Sequence, residues 1–307
     1  MSGSTLLIVN PASGGGRSRR ALARIEARLD EAFGPLERVR TRAPGDAAEL
    51  AREAAFSGVS RVVVAGGDGT LREVACGILA AGRGADVEVV PLPMGTGGDW
   101  LRGLGVPRPL GRAVEWLRVG KTRSVDAGRV TCRARDGRPL ATWFVNVASC
   151  GLSGLVTEQV GRGRKRLGGG LAFLVGTLQA LAAYRATPVS LSLDGECIFE
   201  GPLVLAAAAN GNSFGGGMLV APRARIDDGL LDVVVIGAVS KRTVLRHLPR
   251  IYRGTHLQAP GVSLHRGRRL RVEGGPVPVE LDGDPLATLP MQVEVVPGAL
   301  RMRGVQP

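Results

Sequence analysis

At 307 residues and 44% hydrophobic content the chain is long enough for two domains with cores of their own, built from Val, Leu, Ala and Ile because aromatics are only 4%. Four scattered cysteines without a CxxC pair exclude a disulfide framework or a cysteine zinc site. No stretch offers the ~20 apolar residues of a membrane span, and the start lacks the basic and long apolar regions of a secretory leader, so a reducing, cytoplasmic setting is expected. The net charge of +13 suits anionic partners, but only Lys121, Lys165 and Lys241 are lysines; so strong an arginine bias points to GC-rich coding more than to nucleic acid, and no nucleic-acid partner is expected.

Taken in chain order, residues 5–9 form a short apolar run that predicts a buried parallel strand. Residues 18–33 predict a helix, with Leu22, Ile25, Leu29 and Phe33 at helical spacing. Strands are predicted at 39–41, 61–65 and 87–92, and helices at 47–56, 71–79 and 110–119. This alternation predicts an α/β domain with a parallel sheet over residues 1–125. Strand patterns then dominate, at 124–130, 142–148, 189–193, 203–209, 231–236, 268–272, 277–281 and 292–296, with helical patches at 171–184 and 241–252. They predict a mainly antiparallel, sandwich-like β domain over 126–294, and residues 295–307 are free to pack back on the first domain.

Three glycine-rich loops follow three strands of the first domain: Asn10-Pro11-Ala12-Ser13-Gly14-Gly15-Gly16, Gly66-Gly67-Asp68-Gly69-Thr70 and Gly95-Thr96-Gly97-Gly98-Asp99. In an open parallel sheet, ligands sit beyond the carboxyl ends of the strands. Glycine lets backbone approach a phosphate, and the N–H groups at the next helix start bind anions. Ser13, Thr70 and Thr96 offer hydroxyl donors, and Asp68 and Asp99 suit magnesium, directly or through water. Any one loop alone reads as a turn; three on consecutive units read as a nucleotide site. Gly120-Lys121-Thr122 imitates the tail of a Walker A loop, but Glu115 stands where its first glycine is required.

Asn-Pro-x-Ser-Gly, Gly-Gly-Asp-Gly-Thr and Gly-Thr-x-x-Asp in this order resemble the diacylglycerol kinase catalytic domain, a family that includes bacterial soluble lipid kinases and sphingosine and ceramide kinases. The second half agrees, with Phe214-Gly215-Gly216-Gly217-Met218, Ala221-Pro222, Ile226-Asp227-Asp228-Gly229-Leu230-Leu231-Asp232 and Leu281-Asp282-Gly283-Asp284. The resemblance covers nearly the whole chain. It implies a nucleotide domain, a β-sandwich and a cleft between them. ATP contacts are implied from Asn10, Ser13, Gly14, Thr41, Gly66, Gly67, Asp68, Gly69, Thr70 and Thr96. Asp68, Asp99 and Asp126 match acidic positions near the catalytic Mg2+. A structural metal is implied on Asp228 with the carbonyls of Arg225 and Leu230, and Asp284 takes the general-base position.

Two residues depart from the family pattern. Gly98 replaces the usual Asn, and Asp284 replaces Glu, shortening the base by one methylene; Asp282 is an alternative base. The activity implied is ATP-dependent phosphorylation of a membrane lipid hydroxyl, diacylglycerol to phosphatidic acid first. Sphingoid or ceramide substrates, an NAD kinase sharing residues 66–70, and a non-catalytic nucleotide-binding regulator are the alternatives. A lipid substrate implies peripheral association with the inner face of the membrane, and a homodimer is left open. The basic run 162–166, followed by the Leu171, Leu174, Leu178 and Leu181 stripe, is the expected docking patch; the plain reading of the stripe is core. Cys150 reads as a small core residue and the three histidines as surface or packing residues, and Ser153 is not in a nucleophile elbow.

Overall fold

A computed structural model describes residues 4–16, 22–95, 98–162 and 169–305. The chain divides into two compact units, Met1–Asp126 with Pro297–Pro307, and Ala127–Val296.

In the first unit, strands β1 (Thr5–Val9), β2 (Leu36–Arg40), β3 (Arg61–Gly66) and β4 (Glu88–Pro93) pair in parallel, in the order β2-β1-β3-β4. Every residue of β1 is buried, which is why its sequence is a continuous apolar run instead of an alternation. The helices are α1 (Glu26–Phe33), α2 (Asp46–Phe56), α3 (Asp68–Ala80), α4 (Asp99–Gly103) and α5 (Leu110–Val119). On α3, Leu71, Val74, Ala75 and Ile78 bury one face at helical spacing. Glu88, itself buried, accepts hydrogen bonds from Thr122, Arg61 and Arg303, and Arg301 and Met302 run parallel beside Glu88 and Val89. Burial alone would raise the Glu88 carboxyl, but those donors hold it below its ordinary value.

Two expectations are corrected here. The helix foreseen over 18–33 is interrupted: residues 22 and 23 are helical, Ile25, at φ −120°, breaks the path before α1, and residues 17–21 lie outside the described part. The second strand starts at Leu36 instead of 39. Helix α4, five residues long, is too short for periodicity to reveal.

The second unit continues β5 (Thr122–Ala134) and adds β6 (Pro139–Phe144), β7 (Val147–Gly151), β8 (Thr187–Leu193), β9 (Glu196–Ala209), β10 (Leu231–Gly237), β11 (Val262–Gly267), β12 (Arg269–Gly274), β13 (Pro278–Leu281) and β14 (Asp284–Arg303). One antiparallel run is β11-β10-β9-β7-β13-β14, while β8 joins the first half of β9 to β12, which pairs back on β14. Alternation along β9 divides the cores: Ala206 and Ala208 pack with Leu191, Leu270 and Val293, whereas Leu205, Ala207 and Ala209 pack with Leu152, Val156 and Leu181 from helices. Those helices are α6 (Leu152–Arg162) and α7 (Gly169–Ala183); α8 (Lys241–Tyr252) follows β10.

The strand foreseen at 142–148 is two strands. The break falls at Val145 and Asn146, whose backbone N–H groups turn to a carboxylate described below. Helix α6 and strand β11 had no counterpart in the sequence reading. The leucine stripe does not act as one face, since Leu181 is buried and Leu178 is 44% exposed, while the side chains of Leu171 and Leu174 lie outside the described part.

Candidate active site

The carboxyl ends of β1, β3 and β4 bring the three glycine loops of the first unit together. Asn10 donates from Nδ2 to Thr70 Oγ1 at 2.9 Å and accepts the Ala12 N–H on Oδ1, so one side chain ties the first loop to the second and shapes its own turn. Ser13 follows in a short 3-10 turn, its N–H on the Asn10 carbonyl. Met94 N–H reaches the Gly66 carbonyl at 2.9 Å. A Cβ on Gly95 would lie 2.5 Å from Gly67 Cα, and one on Gly14 would lie 2.8 Å from the Met94 carbonyl oxygen. Side chains at these positions would push the loops apart, so the glycines are there for close approach.

Helix α3 starts at Asp68 directly behind Gly67, with no side chain capping its N-terminus, and Gly69 is exposed. Uncapped N–H groups with the positive end of a helix dipole form an anion site. Thr41, buried at the end of β2, hydrogen-bonds back to Val9 through its N–H. Thr96 lies outside the described residues.

Asp68 Oδ2 accepts the backbone N–H of Asp99 at 2.8 Å, linking the second loop to the third. Its Oδ1 is buried and has no hydrogen bond, and burial pushes the carboxyl up from its ordinary value despite the donated N–H groups. An anionic oxygen left bare beside a phosphate-shaped cradle fits a divalent cation. Asp99 is buried, with Oδ1 held by Arg102 at 2.7 Å, and Asp126 is buried, with Oδ1 on the Gly298 N–H at 2.8 Å. Gly98 has φ +67°, a left-handed conformation that glycine and asparagine both tolerate, so its departure from the family pattern keeps the backbone and removes only an amide.

In the second unit, Asp282 (φ 51°) and Gly283 (φ 88°) form the two-residue turn between β13 and β14, the positive-φ pair that an Asp-Gly hairpin uses. The Asp282 carboxylate accepts the N–H groups of Val145, Asn146 and Val147, each at 2.9 Å. That is a structural assignment, and it separates Asp282 from Asp284, the first residue of β14, in a way the sequence could not.

The same turn exposes a residue that sequence reasoning missed. Glu280 is 1% exposed, accepts the Ser149 hydroxyl on Oε1, and accepts the Gly283 N–H on Oε2 at 2.7 Å. Ser149 in turn shares a 2.7 Å hydrogen bond with Ser153. Burial pushes the Glu280 carboxyl up to about 7, against the pull of those two donors and with further push from Asp282 and Asp284. The only sequence signal was an acid inside an apolar strand. Buried Asn146 and Asn210 were also passed over; their amides donate to the carbonyls of Ser213 and Val145.

The donor set expected for a structural metal joins one side chain to two backbone carbonyls, those of Arg225 and Leu230. Asp228 is its single carboxylate; Oδ1 accepts the Leu230 N–H at 3.1 Å, and Oδ2 is engaged by Arg266, which also binds buried Asp232 at 2.7 Å. Arg225 pairs with Asp227 at 3.3 Å. The charge of Asp228 is thus met within the chain. Among the described residues no three His, Cys, Asp or Glu gather around a common point. Cys150, its thiol pushed up to about 12 by burial, and His256, buried with Nε2 on the Val220 carbonyl, are packing residues.

Residues 4–130 match the family described as the diacylglycerol kinase catalytic domain, and residues 146–304 the one described as the YegS C-terminal NAD kinase beta sandwich-like domain. The chain is 33% identical over 301 residues to a diacylglycerol kinase of Mycobacterium tuberculosis, covering 98% of this chain and 94% of that one. It is 28% identical over 286 residues to a diacylglycerol kinase of Bacillus subtilis, covering 92% and 90%. A solved structure of a diacylglycerol kinase from Bacillus anthracis superposes with a TM-score of 0.75 at 24% identity, covering 99% of this chain and 97% of that one, a likeness of fold.

Proposed function

The chain belongs to the diacylglycerol kinase family and is a lipid kinase, and on that premise we propose that it transfers the γ-phosphoryl group of ATP to the hydroxyl of diacylglycerol, yielding phosphatidic acid and ADP. The observation that carries the reading is the meeting of the three glycine loops at the uncapped start of α3, with Asp68 Oδ1 bare beside it.

Phosphoryl transfer asks for positioning and charge neutralisation more than covalent chemistry. In this reading the N–H groups of residues 66–70 and the turn shaped by Asn10 hold the phosphates in line. Thr70 keeps that turn in place through Asn10, and Ser13, Gly14, Thr41 and Thr96 complete the nucleotide contacts. Asp68, aided by Asp99 and Asp126, would hold magnesium, which would supply positive charge to the phosphoryl groups. Asp284 accepts the proton of the lipid hydroxyl as its oxygen bonds to the γ-phosphorus and the bond to the β–γ bridging oxygen breaks. The three N–H donors on Asp282 support giving that role to Asp284 instead. Among the described residues no helix is long and apolar enough to cross a membrane. In this reading the enzyme meets its lipid peripherally, at the inner face of the membrane.

Transfer of label from γ-labelled ATP tests this, in mixed micelles containing diacylglycerol, monoacylglycerol, ceramide or sphingosine, with NAD in parallel. The expected result is highest turnover on diacylglycerol and none on NAD. Preference for a sphingoid lipid moves the substrate assignment, labelling of NAD replaces it, and nucleotide binding without lipid-dependent turnover removes the catalytic role.

A further inference from the structure

Helix α8, Lys241–Tyr252, buries none of its residues, although a helix of this length is ordinarily held in place by a buried apolar face. Its inner side is only half-buried, with Val244 against the core beneath. Ser240 caps it, accepting the Thr243 N–H at 3.1 Å, and Lys241 Nζ reaches the Ala182 carbonyl at the end of α7 at 2.5 Å.

The outer side has a definite pattern. Arg242, Arg246 and Arg250 recur every four residues and are all exposed, forming one ridge along the helix. Leu245, Pro249 and Tyr252 are exposed at spacings of four and three and form a second ridge beside it; Leu245 and Tyr252 are 43% and 46% exposed. From Lys241 to Arg253 there are five Lys or Arg and no acid. Among the described residues no carboxylate pairs with Arg242, Arg246, Arg250 or Arg253, whereas arginines such as Arg61, Arg135, Arg266 and Arg303 are paired. Cations in the first turn also oppose the helix dipole, so Lys241 and Arg242 gain nothing there from the helix itself.

We propose that the outer face of α8 is a membrane-docking surface that lies on an anionic bilayer, its arginine ridge among the headgroup phosphates and its Leu245–Tyr252 ridge at the acyl boundary. Unpaired positive charge attracts a negative partner, and an adjacent exposed apolar ridge selects a bilayer over a polyanion, whose surface offers apolar side chains no place to enter. The choice of a membrane rests on the lipid-kinase reading, which puts the substrate in one. The surface is built from residues other than the basic run at 162–166, most of which lies outside the described residues.

Co-sedimentation of the full chain without ATP tests the surface. The probes are vesicles of phosphatidylcholine with 30% phosphatidylglycerol, vesicles of phosphatidylcholine alone, and a short DNA duplex, each at low and high salt. The wild type is expected to bind the anionic vesicles at low salt and to release them at high salt. Replacing Arg242, Arg246 and Arg250 together by Gln is expected to weaken that binding at least tenfold. The pair Leu245→Ser and Tyr252→Ser is expected to weaken it several-fold with the salt dependence kept. Both variants should retain turnover on a soluble short-chain diacylglycerol and the wild-type melting temperature. Wild-type vesicle binding by the arginine variant overturns the proposal, as does tighter binding to the duplex with no effect of the apolar pair. Vesicle binding through α8 without turnover of any lipid removes the kinase reading and leaves the docking surface; lipid turnover with α8 variants binding like wild type does the reverse.

Discussion

Glu280 gives the chain a pH dependence that a single substitution should remove. Its carboxyl, ordinarily near 4.5, is pushed up to about 7, chiefly by burial and further by Asp282 and Asp284, against the hydrogen bonds from Ser149 and Gly283. Below pH 4.5 both the folded and the unfolded chain hold the proton. Between 4.5 and 7 the unfolded chain releases it and the folded chain keeps it, so stability falls as pH rises. Above 7 the loss is complete. The gap corresponds to about 3 kcal/mol at ~1.4 kcal/mol per tenfold in proton affinity. Glu280→Gln cannot titrate. Its amide can still accept the Gly283 N–H, while the contact with Ser149 depends on the hydroxyl turning to face it. Relative to wild type, the variant should therefore gain about 3 kcal/mol between pH 4.5 and 8, whatever its stability at either end. Urea unfolding followed by circular dichroism, in half-unit steps of pH, measures the difference, and titrating groups that do not interact with Glu280 cancel from it. Parallel profiles for the two proteins would show that Glu280 is ionised in the fold across this range and that its burial is not as described.

Asp68→Asn should abolish turnover while barely moving the melting temperature, since it removes a charge and little volume; retention of more than about a tenth of wild-type kcat, a barrier change below ~1.4 kcal/mol, refutes the metal and phosphate role. Asp282→Ala should cost about 2–4 kcal/mol of stability through three backbone N–H groups left without an acceptor. Asp284→Asn, by contrast, should lower kcat at least ~100-fold with the KM for ATP and the melting temperature unchanged; a reversal of these two outcomes exchanges the assignments. Arg266→Gln should destabilise by about 1–2 kcal/mol, a value discounted because Arg266 is half exposed while Asp232 is buried. EDTA should leave the melting temperature of the wild type unchanged, and a drop on chelation would restore a metal at Asp228.

Much of the first unit was legible in the sequence because its strands are uniformly buried and its longer helices keep one buried face. Such elements write their period, or its absence, directly into residues such as Leu6–Val9 and Leu71–Ile78. The glycine loops were legible for a related reason. Close approach of backbone to backbone, as at Gly67 and Gly95, excludes every other residue, so the geometry leaves its mark in composition. Helix α4 was too short to show a period, and α6, which opens Leu-Ser-Gly-Leu, carries no strong one.

By itself the sequence determined the two-part organisation, the glycine loops and the family, since each rests on local pattern or on residue types that only one backbone geometry accepts. Only the tertiary structure decided among carboxylates of identical chemistry. Asp282 and Asp284 stand two residues apart, yet it is the Asp282 carboxylate that accepts the N–H groups of residues 145–147, more than a hundred positions earlier in the chain. Asp228 was placed on Arg266 by the pairing of β10 with β11, which sets Asp232 opposite Arg266. Glu280 is buried because β13 lies between β7 and β14. A carboxylate's state follows from its surroundings, and those surroundings are assembled from chain segments far from it in sequence.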